Sequence, residues 1–397
     1  MKILQAYKFQ LKAKPRHEEL FRRSAGCCRF VWNHMLALEK ENHENGRKRL
    51  GYRELAGMLT DLKNQEKTKF LKEVHSQILQ QSLKDLENAY RNFFQKRAML
   101  PRFKSKGVKD SFRYPQGFKI DEPNFRIYLP KIGWVRYRKS KNIEGRPKQI
   151  TVSLSAEKWY VSVQTEREIA DPIHTSDSAI GVDMGVANFA TFSDGTFIKP
   201  PNFFQKHENK LKFRGRNLSR KKKFSNNWRK EKHRLNRIHR KIKDCRRDFL
   251  HKLTTDMSKN HALIAMEDLQ VKNMSKSASG TVDNPGRNVK AKTGLNKSIL
   301  DQWWFEFRRQ LEYKLTRRGG ELLLIPPQYT SQKCSDCGHV AKENRESQAK
   351  FKCCNCGFEI NADHNAAINI LAAGHAVKAC GEIGNGRLCE TGTSSTL

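Results

Sequence analysis

The chain has 397 residues, with 77 Lys+Arg against 41 Asp+Glu and a formal net charge of +36. An excess of that size repels itself in a compact state and needs a neutralising partner, of which nucleic acid is the commonest. Hydrophobic residues make up 37%, below the ~45–50% of ordinary globular domains, yet the six Trp, nine Tyr and 22 Phe exclude wholesale disorder, and no apolar run reaches the ~18–20 residues of a membrane span.

The first segment alternates, with Tyr7, Phe9 and Leu11 on one side and Lys8, Gln10 and Lys12 on the other, which predicts a strand with one wet face. It has no continuous apolar stretch and is read as no signal peptide, so the chain is expected in the cytosol with reduced thiols. From His17 to Arg97 the period becomes helical. Phe30, Val31, Met35 and Leu38 fit one helix, and Val74, Ile78, Leu83, Leu86 and Tyr90 fit another. The far face of the second helix carries Ser76, Gln77, Gln80, Gln81 and Lys84. It is either simply solvated or a surface for DNA base edges and phosphates.

After Pro101 the two-residue period returns in Phe125, Ile127 and Leu129, in Trp134 to Tyr137, and in Ile150, Val152 and Leu154. Trp159, Val161 and Val163 continue it across a Ser155–Lys158 turn, a hairpin signature. One strand before the helical block and several after it predict a small β-barrel with a helical insertion.

Residues 206–247 carry 19 Lys+Arg and 3 Asp+Glu, a net +16. Phe213, Leu218, Leu235, Ile238 and Ile242 are sparse apolar anchors within them. A solvated helix pair is the bland reading. Charge this dense and of one sign fits a phosphate backbone better, with Arg220, Lys221, Lys222, Lys223, Arg229, Arg237 and Arg240 as the RNA-binding candidates. Residues 272–297, rich in Lys, Asn, Ser and Gly, read as a mobile loop, and the tail after Cys380 reads as disordered.

Of the ten cysteines, five lie between Cys334 and Cys356. Cys334-Ser-Asp-Cys337 and Cys353-Cys-Asn-Cys356 form two CxxC knuckles with fifteen residues between them. Two tight turns each presenting two thiolates make a tetrahedral site for one structural Zn²⁺; a redox pair is the alternative. Gly338 and Gly357 follow the knuckles directly, where the turn calls for positive φ. Cys354 competes as a ligand, but the regular spacing favours Cys353. Cys27, Cys28, Cys245, Cys380 and Cys389 read as plain thiols.

Three acids stand beside apolar strands. Ala179 to Val182 runs into Asp183, expected at the centre of the first strand of a hairpin that returns through Val186–Phe192. His261 to Met266 is a buried strand ending at Glu267 and Asp268. Asp363 precedes the amphipathic helix Asn365–Leu371, which an Asp can cap. Singly, each has a dull explanation as turn former or cap. Together they can gather hard oxygen ligands around two Mg²⁺ ions. Two such ions ~3.5–4 Å apart activate water and stabilise the leaving oxygen of a phosphodiester.

The blocks GVDMGVANFATFSDG, AMEDLQVKNM, TSQKCSDCGH and NADHNAAINIL resemble those of the TnpB family, transposon-encoded RNA-guided DNA endonucleases related to compact type V CRISPR effectors. The N-terminal YKFQL and RFVWN and the central FFQKR and PRFKSKG resemble it more loosely, and the likeness covers roughly residues 3–380. It implies a multidomain α+β chain with an RNase H/RuvC-like α/β nuclease domain interrupted by a zinc ribbon. It also implies a wedge-like β-barrel carrying a helical recognition lobe. The expected layout is wedge at 1–13 and 111–170, helical lobe at 14–110, and nuclease at 171–328 and 361–380. Within the nuclease lie basic helices at 206–250 and a lid loop at 272–297; the ribbon spans 329–360 and the tail 381–397. Asp183, Glu267 and Asp363 match the family's catalytic acids, and Cys334, Cys337, Cys353 and Cys356 its zinc ligands.

The likeness further implies a guide RNA from the transposon end, target double-stranded DNA, and one protein per RNA, with base pairing reading the sequence. Ser76, Gln77, Gln80 and Lys104 are the candidates for reading a short motif beside the target. The competing readings are an RNA-guided repressor that no longer cuts, a transposase that joins DNA ends, and a zinc-ribbon nucleic-acid-binding protein.

Overall fold

The computed structural model describes residues 1–383, with side chains to residue 380. The chain divides into two units, the first Met1–Ala170 and the second beginning at Asp171. Of the tail expected at 381–397, residues 381–383 continue the last helix, and the rest lies outside the described residues.

In the first unit, β1 (Lys2–Leu11) is followed by α1 (Pro15–Glu44), α2 (Tyr52–Asn64), a 3-10 helix (Glu66–Glu73) and α3 (Ser76–Phe94). Six strands follow: β2 (Ser111–Tyr114), β3 (Lys119–Asp121), β4 (Arg126–Leu129), β5 (Gly133–Arg138), β6 (Arg146–Ser155) and β7 (Lys158–Glu168). They form a seven-stranded sheet in the order β2-β6-β7-β1-β5-β4-β3, so the first strand sits at its centre. β1 runs antiparallel to β7 from Lys2 opposite Glu168 to Gln10 opposite Tyr160. The expected barrel is open in its hydrogen bonding, with β2 and β3 as edges. α1 begins with Pro15, whose missing N–H costs nothing in a first turn. Phe21, Cys28, Val31, Met35 and Leu36 recur on its buried side. Phe21 packs on Trp159 at 5.0 Å between ring centroids. Helices and sheet thus share one continuous apolar core.

The second unit opens with β8 (Ala179–Asp183), β9 (Ala190–Phe192) and β10 (Phe197–Ile198), then α4 (Phe203–Ser219), α5 (Asn226–Asn260) and β11 (Leu263–Glu267). It continues through α6 (Val271–Met274), α7 (Val289–Gln302), α8 (Trp304–Thr316) and β12 (Glu321–Ile325), then β13 (Lys350–Lys352), β14 (Glu359–Asn361) and α9 (Ala362–Ile383). Five strands form a sheet in the order β10-β9-β8-β11-β12. β8, β11 and β12 are parallel, and parallel strands are covered on both faces, which explains the unbroken apolar runs. Ile180, Val182, Ile264 and Met266 enter a core with Leu250, Met257, Phe307 and Leu311 of α5 and α8. The alternate residues Gly181 and Ala265 face α9: a Cβ on Gly181 would stand 2.1 Å from the carbonyl oxygen of Ala367, and one on Gly374 would stand 2.7 Å from Ala265 Cβ. These two glycines let helix and sheet touch backbone to backbone.

Three expectations change. Asp183 ends β8 rather than lying at its centre. Of the loop expected at 272–297, residues 272–274 belong to α6 and 289–297 to α7, which is anchored further on by the buried Ile299. Phe213 is 56% exposed, and the α4–α5 contact is made instead by Leu211, Ile238 and Ile242 with Phe203, Phe204 and Leu235. Between these helices the buried Glu231 accepts from Arg214 (3.0 Å) and Arg234 (3.1 Å), cancelling part of the local repulsion.

Gly181→Ala is expected to lower unfolding stability by about 1–3 kcal/mol or more through overpacking against α9. Denaturant titration measures it, and Gly215→Ala, with open space around its Cβ, is the matched control.

Candidate active site and cysteine cluster

Parallel strands end at one edge of a sheet, so the acids that end β8 and β11 are neighbours. Val182 is in register with Met266, which sets Asp183 and Glu267 side by side. Asp363 stands in the first turn of α9, the helix packed on these strands. Asn361, not Asp363, caps that helix: its Oδ1 accepts from the N–H groups of Asp363 (3.0 Å) and His364 (3.2 Å). The Asp363 carboxylate is therefore free of the capping role that the sequence offered as its dull explanation.

The other two acids bear on Asp183. Burial pushes the Asp183 carboxyl up to about 7, and the charges of Glu267 and Asp363 push the same way, with Arg345 opposing. Burial also raises Glu267, against a hydrogen bond that Thr330 Oγ1 donates to its Oε1 at 2.6 Å. Arg345 Nη2 lies 3.4 Å from Asp363 Oδ1 and donates to the Gln348 carbonyl at 3.2 Å. Converging, half-shielded carboxylates with one nearby guanidinium are a donor set short of positive charge, and hard divalent cations suit it.

The cysteines form a tighter group. Among the described residues, Cys334, Cys337, Cys353 and Cys356 are the one set of three or more potential ligands whose donor atoms all lie within 4.8 Å; the acids are more widely spread. Cys334 Sγ is 3.7 Å from Cys356 Sγ, and Cys337 Sγ is 3.6 Å from Cys353 Sγ. Each knuckle repeats one pattern. The N–H of Cys334 bonds to the His339 carbonyl and that of Cys353 to Phe358, both at 2.9 Å, while Gly338 and Gly357 bond back to the first cysteine at 3.1 and 3.0 Å. Those glycines have φ of +77° and +76°, as their position predicted. The four thiols differ: a backbone N–H from His339 leads in pulling Cys337 down, whereas Cys334, by burial, and Cys356, among its neighbouring thiols, are held up. Such a four-cysteine cluster suits zinc. Cys354 is exposed and outside the group.

Polar side chains that sequence reasoning missed hold the parts in place. Buried Asn344 donates to the carbonyls of Gln332 (2.9 Å) and His339 (3.2 Å) and accepts from the N–H of Cys354 (2.9 Å), tying the two knuckles together. From α9, Asn365 and Asn369 each donate to the Lys333 carbonyl at 2.7 Å. Thr330, Arg345 and these asparagines have no spacing signature. The one available signal was that Thr330 opens the block containing the first knuckle.

The nucleic-acid candidates are dispersed. Ser76 and Gln80 are exposed on the first turns of α3 and Gln77 is half-buried. Lys104 keeps its ammonium 3.6 Å from the Trp32 ring centroid, and Asn33 Oδ1 accepts its N–H at 2.8 Å. Arg220, Lys221, Lys222 and Lys223 occupy the turn between α4 and α5, and Arg229, Arg237 and Arg240 lie along α5.

Residues 160–278 match the family described as "Probable transposase", and residues 304–370 match a "Cas12f1-like, TNB domain". Residues 1–48 match a "Helix-turn-helix domain", although here they form β1 and the single long helix α1. The "Putative RNA-guided DNA endonuclease InsQ" of Escherichia coli K12 is 59% identical over 383 residues, covering 96% of this chain and 95% of that protein. The chain belongs to the TnpB family of RNA-guided DNA endonucleases. A Streptomyces pristinaespiralis relative, "Putative RNA-guided DNA endonuclease", is 33% identical over 96% of this chain and 92% of its own length. The "CRISPR-associated endodeoxyribonuclease Cas12f1" of Sulfoacidibacillus thermotolerans is 44% identical over 77 residues, 19% of this chain and 18% of that one.

Cys337→Ser is expected to lower the zinc content of the purified protein from about one ion per chain and to reduce soluble yield, whereas Cys354→Ser leaves both unchanged. Atomic absorption on the two variants checks this.

Proposed function

We propose that this chain is a Mg²⁺-dependent, RNA-guided DNA endonuclease whose single nuclease site is formed by Asp183, Glu267 and Asp363. The observation that carries this reading is the strand register: β8 and β11 run parallel with Val182 opposite Met266, so Asp183 and Glu267 end neighbouring strands, and Asp363 opens the helix packed on both. The strand order of the second unit, an antiparallel hairpin joined to parallel strands with a helix across them, supports the RNase H/RuvC-like reading of this domain.

In this reading the three carboxylates hold two Mg²⁺ ions. Bound there, the ions supply an activated water and Lewis-acid stabilisation of the phosphodiester oxygens. Thr330 fixes the Glu267 carboxylate by its hydrogen bond. Arg345 balances Asp363 and is placed to attract the phosphate of an incoming strand. The four cysteines hold one Zn²⁺, which rigidifies the segment bearing Arg345. The Arg220–Lys223 turn and the α5 arginines bind the guide RNA, an RNA from the transposon end, with one protein per RNA. Ser76, Gln77, Gln80 and Lys104 serve the short motif beside the target. The irregular stretch 275–288 remains the candidate lid.

Asp183→Asn, Glu267→Gln and Asp363→Asn are each expected to abolish cutting of a matched duplex while RNA binding is retained. Gel assays of cleavage and of RNA retention check this, and cutting by any variant removes that residue from the site. RNA affinity is expected to fall steeply with salt, and Arg229→Gln with Arg240→Gln is expected to flatten that slope. A salt titration of copurified RNA rebinding reads both.

A further inference from the structure

Beside Glu267 the second unit contains a cavity of about 270 Å³, with Met184 and Met266 among its lining residues and Trp304, Phe305 and Arg308 contributed by the start of α8. Its size is below the ~300 Å³ at which pockets for drug-sized ligands begin, and suits one planar group. Met184, Met266 and Trp304 are buried, whereas Phe305 is 72% exposed. An exposed phenylalanine alone means little. This one lines a pocket shared with a carboxylate of the nuclease site. The Trp304 indole N–H is buried and has no hydrogen-bond partner among the described residues. Trp303, just before α8, holds φ +58°, a conformation costly for a bulky side chain. That bend breaks α7 from α8 and turns Trp304 inward while Phe305 stays out. Strain of this kind gathers at ligand-binding segments. On the polar side, Arg308 pairs with Asp268 at 2.5 Å.

We propose that this cavity is a nucleobase subsite: it receives one unstacked base of the DNA strand being cut, next to the scissile phosphate, with Phe305 stacking on its face. The proposal rests on the nuclease reading above. Aromatic rings stack on any base, so the subsite grips a strand without reading its sequence. A paired base is held in its duplex and cannot enter, so the subsite favours single-stranded DNA at the point of cutting.

The test uses the full chain with its copurified RNA and a matched duplex in which one abasic nucleotide is moved stepwise through the cut region. Wild type is expected to cut roughly ten- to hundredfold more slowly when the abasic position adjoins the scissile phosphate. Phe305→Ala should slow cutting of intact DNA by a similar factor and lose that sensitivity, and Phe305→Trp should restore both. Full-rate cutting by Phe305→Ala, or an equal abasic penalty in both proteins, overturns the proposal. A readout without chemistry places 2-aminopurine at the same positions with Ca²⁺ replacing Mg²⁺. Fluorescence quenched in wild type and recovered in Phe305→Ala supports the subsite; no quenching at any position overturns it. Quenching without any cutting would keep the subsite and remove the nuclease reading, while cutting with neither quenching nor an abasic effect would do the reverse.

Discussion

Like charges brought together out of water are the constraint on which the second unit turns. Asp183, Glu267 and Asp363 come from two strand ends and a helix start, and burial, with the charges of the other two, makes Asp183 harder to ionise. A fold that keeps such an arrangement needs compensating positive charge. Arg345 supplies part of it, and divalent cations supply the rest in the reading offered here. The wider excess of +36 has the complementary requirement. It is neutralised by the polyanions on which a TnpB protein works.

Close approach is what makes the acids converge. Asp363 can reach the strand ends only because α9 lies directly on β8 and β11, and it lies there because Gly181 and Gly374 present no side chain. Asn365 and Asn369 then fasten the cysteine-bearing segment to the same helix through the Lys333 carbonyl. Helix, sheet and cysteine cluster are thus one mechanical assembly, although the sequence separates them.

Much of this was legible from residues alone. The strand ends at Asp183 and Glu267 were visible because buried parallel strands are written as apolar runs, and the knuckles because CxxC turns need glycine after them. The helix of Asp363 was visible too, but its cap was misjudged: Asn361, two residues earlier, makes a better Oδ1 acceptor for that first turn. The loop expected at 272–297 concealed α7, whose few apolar residues are spread among lysines and asparagines. Hydrophobicity alone does not tell Phe213, which is exposed, from Leu211, which fills the space between α4 and α5. Thr330, Arg345 and Asn344 were invisible, since a hydrogen bond to a distant backbone or carboxylate leaves no local pattern. The nucleic-acid surfaces were legible as charge but not as contacts, because phosphate binding asks only for density of sign.

Arg345 lies between the two cysteine knuckles, in a stretch whose only regular structure is the strand before Cys353. Were the cluster to lose its metal, that stretch would lose its anchor and the guanidinium its fixed place beside Asp363. The nuclease would then be throttled by the supply of an ion that takes no part in hydrolysis. A host poor in available zinc would carry this protein intact in sequence, loaded with RNA, and slow to break DNA.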